Sequence, residues 1–208
     1  MHPALAPVNT VVYGVADERE FPVKDSAKPD QLSAADWLDQ GLKTLTESGF
    51  TALKAEPLAK AMGVSRGSFY WHFADVGAFH TALLKRWREV TTEQIIASLE
   101  RSPEGEIPMN VLLRRAFGGS RLTLDVAVRT WATVDPTARA AVQAIDKRRL
   151  SYMESLFVAQ GYSPAVAQAR AQILYWTFLG FTLSDKSLPK PRQEEILAEL
   201  IRIANAPA

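Results

Sequence analysis

The run Ser65-Arg66-Gly67-Ser68-Phe69-Tyr70-Trp71-His72-Phe73 is rich in hydrogen-bonding and aromatic side chains. If it is helical, Phe69 and Phe73 share one face, four residues apart. Arg66, Ser68, Tyr70, Trp71 and His72 are then left on the others. Such a helix makes a poor core element and a good insert for a DNA groove. An arginine can bridge O6 and N7 of guanine, and small hydroxyls, phenols and imidazoles can meet base edges or phosphate oxygens. Arg66 and Ser68 are therefore candidates for base edges, Tyr70 and His72 for phosphates, and Trp71 for sugar or a thymine methyl. Gly67 lets the backbone come close to DNA. Packing between helices is the competing role for each, above all for Trp71 and His72.

The flanking residues must position that helix. Leu58, Ala59 and Met62 form the inner face of a preceding short helix, Gly63 is suited to a left-handed stop, and Ser65 is a credible N-cap. Upstream, Ser33 and Asp36 make a near-capping box, and Leu32 and Trp37 stand at the positions of a hydrophobic staple. Leu38, Leu42 and Leu45 continue that first helix to Gly49, and a second opens at Glu56 or Pro57. A fourth is expected from Asp75 to about Arg101, with Val76, Phe79, Leu83, Trp87 and Val90 inward. Lys85, Arg86 and Arg88 fall on its solvated side.

The remainder also reads as helices: about 108–117, stopped by Gly118-Gly119, then about 121–133. Asp135-Pro136 starts one that reaches Gln160, Ser163-Pro164 one that reaches about Leu183, and a last covers about 191–204. The class is all-α with about nine helices. Residues 1–31, with several prolines and no helical period, are expected to be a poorly ordered extension. A head domain is drawn over 32–80 and a larger helical domain over 81–208, with a linker candidate at Ser102-Pro103-Glu104-Gly105-Glu106. The 164–183 helix is apolar around most of its circumference and so must be buried on more than one side. Val166, Ile173, Thr177 and Gly180 mark one face, and Leu174, Phe178 and Phe181 another, with Trp176 and Leu183 between. Self-association would supply the second partner, so Val166, Ile173, Thr177, Phe178, Gly180 and Phe181 are the candidate dimer-interface residues.

Composition sets outer limits. The 208 residues carry a net charge of only +1 and no cysteine. That excludes disulfides, thiolate metal sites and a cysteine nucleophile. Any affinity for nucleic acid must come from local arrangement rather than a general basic excess. The histidines are His2, His72 and His80; neither Glu-x-x-His pairs nor a Ser/His/Asp cluster is present, so neither a metal, a cofactor nor an enzymatic role is expected. No apolar run approaches the ~20 residues of a bilayer span, and no signal peptide stands at the start. A cytoplasmic protein with no membrane partner is the natural expectation.

With these residues in hand, the stretch about 33–85 resembles the TetR family of bacterial transcriptional regulators. The matching pattern is Leu58-Ala59, Gly63-Val64-Ser65, Gly67 and Tyr70-Trp71-His72-Phe73, in register. The resemblance implies an all-helical homodimer with a helix-turn-helix head, a C-terminal effector pocket and a four-helix dimer interface built from the last two long helices. It implies a repressor that binds a palindromic operator on double-stranded DNA and is released by a small-molecule effector, whose identity the sequence does not give. The DNA contacts would be Lys54, Ser65, Arg66, Gly67, Ser68, Tyr70, Trp71 and His72. Two positions depart from the family. The usual Thr near the start of helix two is replaced by Leu53-Lys54-Ala55, where Lys54 could supply an electrostatic phosphate contact. The usual Lys or Arg three residues after Phe73 is Val76, which leaves that contact to the N-terminus of helix four. The candidate pocket residues are Phe117, Trp131, Tyr152, Met153, Phe157 and Tyr175, with Arg121 or Arg129 for an acidic effector. The alternative is a helical ligand-binding or interaction protein with weak or no DNA binding.

Overall fold

The computed structural model describes residues 32–101, 105–117, 121–184 and 188–207. The extension expected over 1–31, the stop at Gly118-Gly119 and residues 102–104 of the expected linker lie outside them. Among the described residues every regular element is helical: α1 (Ala34–Ser48), α2 (Ala55–Ala61), α3 (Arg66–His72), α4 (Val76–Arg88), α5 (Gln94–Leu99), α6 (Pro108–Phe117), α7 (Arg121–Ala132), α8 (Pro136–Ala159), α9 (Pro164–Thr182) and α10 (Lys190–Ala204). A π-helical turn, Glu89–Glu93, joins α4 to α5 into one rod, so the expected all-α class of about nine helices holds.

The start signals act as their chemistry requires. The Asp36 amide donates to Ser33 Oγ at 3.3 Å and the Ser33 amide to Asp36 Oδ2 at 2.7 Å, closing a capping box over α1. Asp135 caps α8 through the Ala138 amide at 2.7 Å, and Ser163 caps α9, each followed by proline in the first turn. Where the orphan amides of a first turn have a side-chain acceptor, the helix start is fixed locally.

The expected unbroken fourth helix is corrected. Val90, Thr91 and Thr92 are buried in succession, and the chain runs through them as a π turn rather than an α-turn. Arg86 is also corrected: it is not simply solvated but holds α1 and α4 together, donating from Nε to Asp39 Oδ1 at 2.9 Å. Asp39, with Glu89 beside it, raises the Arg86 pKa against a smaller opposing effect of burial.

The first hydrophobic core runs from Trp37, Phe69 and Phe79 through Leu83 and Trp87 to Val128, Trp131 and Ile145. Phe79 and Leu83, on either side of the domain boundary drawn from sequence, lie in the same cluster. A second core joins α6, the later half of α8, α9 and α10 around Met109, Phe157, Ala171 and Leu174. α1 packs tightly on α4 at Gly41, where an added Cβ would lie 2.7 Å from Phe79 Cζ and 2.9 Å from Leu83 Cδ1. Exposed helical Gly→Ala changes normally stabilise by up to ~1 kcal/mol. Here Gly41→Ala is expected to destabilise by ~1–3 kcal/mol because both neighbours are fully packed; chemical unfolding checks the sign.

Candidate nucleic-acid interface and buried cavity

The turn before α3 is built by Gly63. Its φ of +69° is the left-handed conformation that a glycine adopts without Cβ strain. The Gly63 amide donates to Lys60 O at 3.2 Å and the Val64 amide to Ala59 O at 3.0 Å, the paired bonds of a Schellman stop. Ser65 holds the N-cap position of α3, but its hydroxyl makes no capping bond; its carbonyl accepts the Ser68 amide at 3.0 Å. The expected side-chain cap is therefore replaced by a backbone turn, and Ser65 Oγ remains at the surface.

Phe69 anchors α3. It is wholly buried, with ring centroids 5.4 Å from Trp37, 5.2 Å from Phe73 and 5.3 Å from Phe79. With that face fixed, Arg66, Gly67, Tyr70, Trp71 and His72 are exposed and Ser68 is half-buried. Trp71 is 88 % exposed, so packing between helices is not its role. Arg66 Nη2 donates to Tyr70 Oη at 3.2 Å, and its guanidinium lies 5.6 Å from the Tyr70 ring centroid. That hydrogen bond raises the pKa of Arg66, and the phenol and guanidinium stand side by side on the open face. Lys54, exposed at the N-cap of α2, makes no capping bond. At α4 the carboxylate of Asp75 takes the Ala78 amide at 2.7 Å. A phosphate meeting this helix N-terminus would therefore share it with the chain's own carboxylate. Val76 is half-buried against the core.

The second feature is a cavity of about 90 Å³ in the C-terminal part. Thr91, Thr92, Ile95 and Ile96 form one wall, Leu112, Leu113, Ala116 and Phe117 of α6 another, and Asp125 of α7 with Arg149, Tyr152 and Met153 of α8 a third. Leu174, Tyr175 and Phe178 of α9 close it. Of the pocket residues expected from sequence, Phe117, Tyr152, Met153 and Tyr175 are on the wall. The others among the described side chains do not line it. Trp131 stacks on Phe50 with centroids 4.8 Å apart, in the head core. Phe157 is core, edge-on to Tyr162 at 5.7 Å. Arg129 stands behind the wall, donating from Nη2 to Asp146 Oδ1 at 2.6 Å and to Tyr175 Oη at 3.1 Å. The side chain of Arg121 lies outside the described residues.

Asp125 and Arg149 were not singled out by sequence. Arg149 donates to Asp125 Oδ2 at 2.7 Å, to Thr92 Oγ1 at 2.9 Å and to Thr91 Oγ1 at 3.1 Å. The Trp87 indole donates to Asp125 Oδ1 at 3.1 Å. Burial opposes the charge on Arg149, yet the Asp125 carboxylate outweighs it and the pKa is raised. The available signal was Asp125 itself, set beside Leu124 and one turn before Val128 in the buried stripe of α7; a charge there requires a partner.

The dimer-interface residues divide. Ile173 and Gly180 are exposed, together with Trp176 (65 % exposed) and Leu183, in one stripe along α9. Val166 and Thr177 are half-buried at its margin. Phe178 and Phe181 instead turn inward to Phe117, with centroids 6.0 and 5.1 Å from it. Trp176, read as filling between faces, is the most outward of the large groups on α9, followed by Ile173.

The architecture is all-helical: a helix-turn-helix head continuous with a helical body that holds a cavity. Residues 38–75 match the model of bacterial regulatory proteins of the tetR family. This stretch is therefore similar to the head of the TetR family, and the resemblance read from Leu58–Phe73 holds. Comparison with curated proteins gives no match. Among solved structures, Escherichia coli NemR in its reduced form is 22% identical with a TM-score of 0.69, covering 84% of this chain and 99% of its own. A TetR-family transcriptional regulator from Rhodococcus sp. is 16% identical with a TM-score of 0.60, covering 83% and 96%. A transcriptional regulator from Saccharomonospora viridis, in complex with choline, is 13% identical with a TM-score of 0.64, covering 81% and 95%. At these identities the likeness is one of fold. Among the described residues no helix is long and apolar enough to cross a membrane, and no His, Asp and Glu side chains group as a metal site.

Proposed function

We propose that this chain is a non-enzymatic, cytoplasmic, ligand-responsive transcriptional regulator that represses as a homodimer on a palindromic operator and is released by a small-molecule effector. The observation that carries the reading is the Arg66–Tyr70 pair. An arginine beside a phenol, on the exposed side of a helix whose other side is locked by Phe69, suits bidentate contact with guanine. Gly67 and Ser65 leave room beside it, and Lys54 adds a cation at the start of α2. The exposed apolar stripe of α9, with Ile196 and Ile203 exposed on α10, supports pairing of two copies. In such a dimer the two α3 helices would lie about one DNA turn apart, roughly 34 Å.

Release follows from differential binding, since an effector shifts the protein only toward the form it prefers. Ordinary ligand pockets enclose ~300 Å³ or more, well above the cavity of about 90 Å³ here. The cavity therefore suits a compact effector, which would settle between α5 and α6 and shift α5. Because α5 is continuous with α4, that movement reaches the head.

Selection of bound fragments from genomic DNA would supply the operator. On it, Arg66→Ala is expected to lower affinity by roughly 10–100-fold and to relax the choice of base at one position. Lys54→Ala is expected to weaken binding evenly across sequences and reduce the salt slope by ~1. A second reading, a ligand-binding protein without DNA affinity, is favoured by Asp75 at the N-terminus of α4 and by Val76. Wild-type-like binding by Arg66→Ala and Tyr70→Ala, or no selected DNA, would establish that reading instead.

A further inference from the structure

The cavity's polar side chains are, with one exception, already satisfied by the protein. Arg149 is engaged by Asp125, Thr91 and Thr92. Asp125 also receives the Trp87 indole. Tyr175 Oη lies between Arg129 and Asp146, donating to the latter at 2.5 Å, and Arg115 donates to Ser98. The exception among the described lining groups is Tyr152: its ring lies under Arg148 with 5.9 Å between guanidinium and centroid, and its half-buried phenol is bonded to none of the described residues. The rest of the surface is hydrocarbon and aromatic, from Ile95, Leu112, Met153, Leu174 and Phe178.

We propose that the effector is an uncharged, compact molecule of about one aromatic ring, carrying one hydrogen-bonding group that meets the Tyr152 phenol. The inference rests on the cavity being the effector site. Charge is the first discriminator. An anion would compete with Asp125 for Arg149, and a cation with Arg149 for Asp125; either exchange strands a buried charge. A neutral ring disturbs neither, and Phe117, Tyr175 and Phe178 offer it edge and offset contacts. Size is the second. An apolar cavity of ~150 Å³ stays dry and takes benzene, so about 90 Å³ is on the scale of one ring after a small shift of side chains. The third is the hydrogen bond. Burial, with Glu100 nearby, pushes the Tyr152 phenol up, so it remains protonated and offers its proton to an acceptor.

The test uses four near-isosteric probes on the purified full chain without DNA: benzyl alcohol, benzoate, benzylamine and toluene, followed by calorimetry and thermal shift. Benzyl alcohol is expected to bind at least tenfold more tightly than benzoate or benzylamine. Tyr152→Phe is expected to weaken benzyl alcohol about tenfold and leave toluene unchanged. Ala116→Leu, which fills the cavity while removing no packing, is expected to abolish binding of both, with the fold verified by its melting curve. If benzoate or benzylamine binds as tightly as benzyl alcohol and Ala116→Leu removes it, the cavity stands and the ligand class is overturned. If binding survives Ala116→Leu, the cavity is not the effector site. Absence of binding by all four at millimolar concentration also overturns the proposal. None of these readouts depends on whether the chain binds an operator.

Discussion

Asp125→Ala is expected to cost about 3–5 kcal/mol of folding stability, lowering the melting temperature by roughly 6–20 °C in a chain of this size. The reason is what the change leaves behind. Arg149 keeps its charge, because an arginine does not deprotonate to escape burial. Its Nη1 and Nη2 lose the carboxylate oxygens at 2.7 and 3.0 Å, and the Trp87 indole loses its acceptor at 3.1 Å. Thr91 and Thr92 remain, but hydroxyl dipoles do not balance a full charge. Replacing both members, Asp125→Leu with Arg149→Met, removes the charge problem and is expected to recover most of the loss, as buried pairs exchanged for apolar groups commonly do. Urea unfolding of the single and double variants checks this. A single variant that melts within about 2 °C of wild type, less than 1 kcal/mol, would mean that water already shields Arg149.

Phe69→Ala is expected to cost a comparable ~3–5 kcal/mol, with the loss concentrated in the head. The seven residues of α3 are far fewer than the ~12–15 a helix needs to persist alone in water. It is held by the burial of Phe69 against Trp37, Phe73 and Phe79. Truncation opens a hole among three aromatic rings that cannot all collapse into it. Amide exchange across 66–72 should then accelerate by orders of magnitude while α9 keeps its protection, and operator binding should vanish although none of the proposed DNA contacts has changed. Trp71→Ala is the contrast. At 88 % exposure its effect on stability is expected within ~0.5 kcal/mol, so a large drop in its DNA affinity would mean that the indole touches DNA directly. Equal stability of the Phe69→Ala and Trp71→Ala proteins would contradict the anchoring role of Phe69.

What the sequence made legible was local. Ser33, Asp135 and Ser163 fixed helix starts to within a residue because a cap is a matter of a few neighbouring atoms. The Gly63 turn and the inward Phe69 and Phe73 followed from one dihedral requirement and one helical period. What stayed hidden depended on partners far apart in sequence. Arg86 looked solvated because Asp39 lies 47 residues away, and Asp125 and Arg149 meet across 24. Trp131 was placed near the effector because its aromatic character says nothing about which core receives it. On α9 the apolar residues go nearly all the way round, so no side was marked as outward; Phe178 and Trp176 therefore exchanged their expected places. The roles assigned to Lys54, Ser65, Arg66 and the rest of the DNA-facing group remain proposals, supported by their common exposure.

The π turn has one more consequence. Such a turn accommodates a surplus residue while the segments before and after it keep their angular phase. Along α4 the inward positions are Phe79, Leu83 and Trp87; beyond the turn they resume at Ile96 and Leu99. Within it Thr91 and Thr92 both turn inward and both accept from Arg149, at 3.1 and 2.9 Å. Successive residues of an ordinary α-turn point about 100° apart. The length of this segment therefore matters as well as its residue types: adding or removing one residue here would turn the two hydroxyls away from the guanidinium.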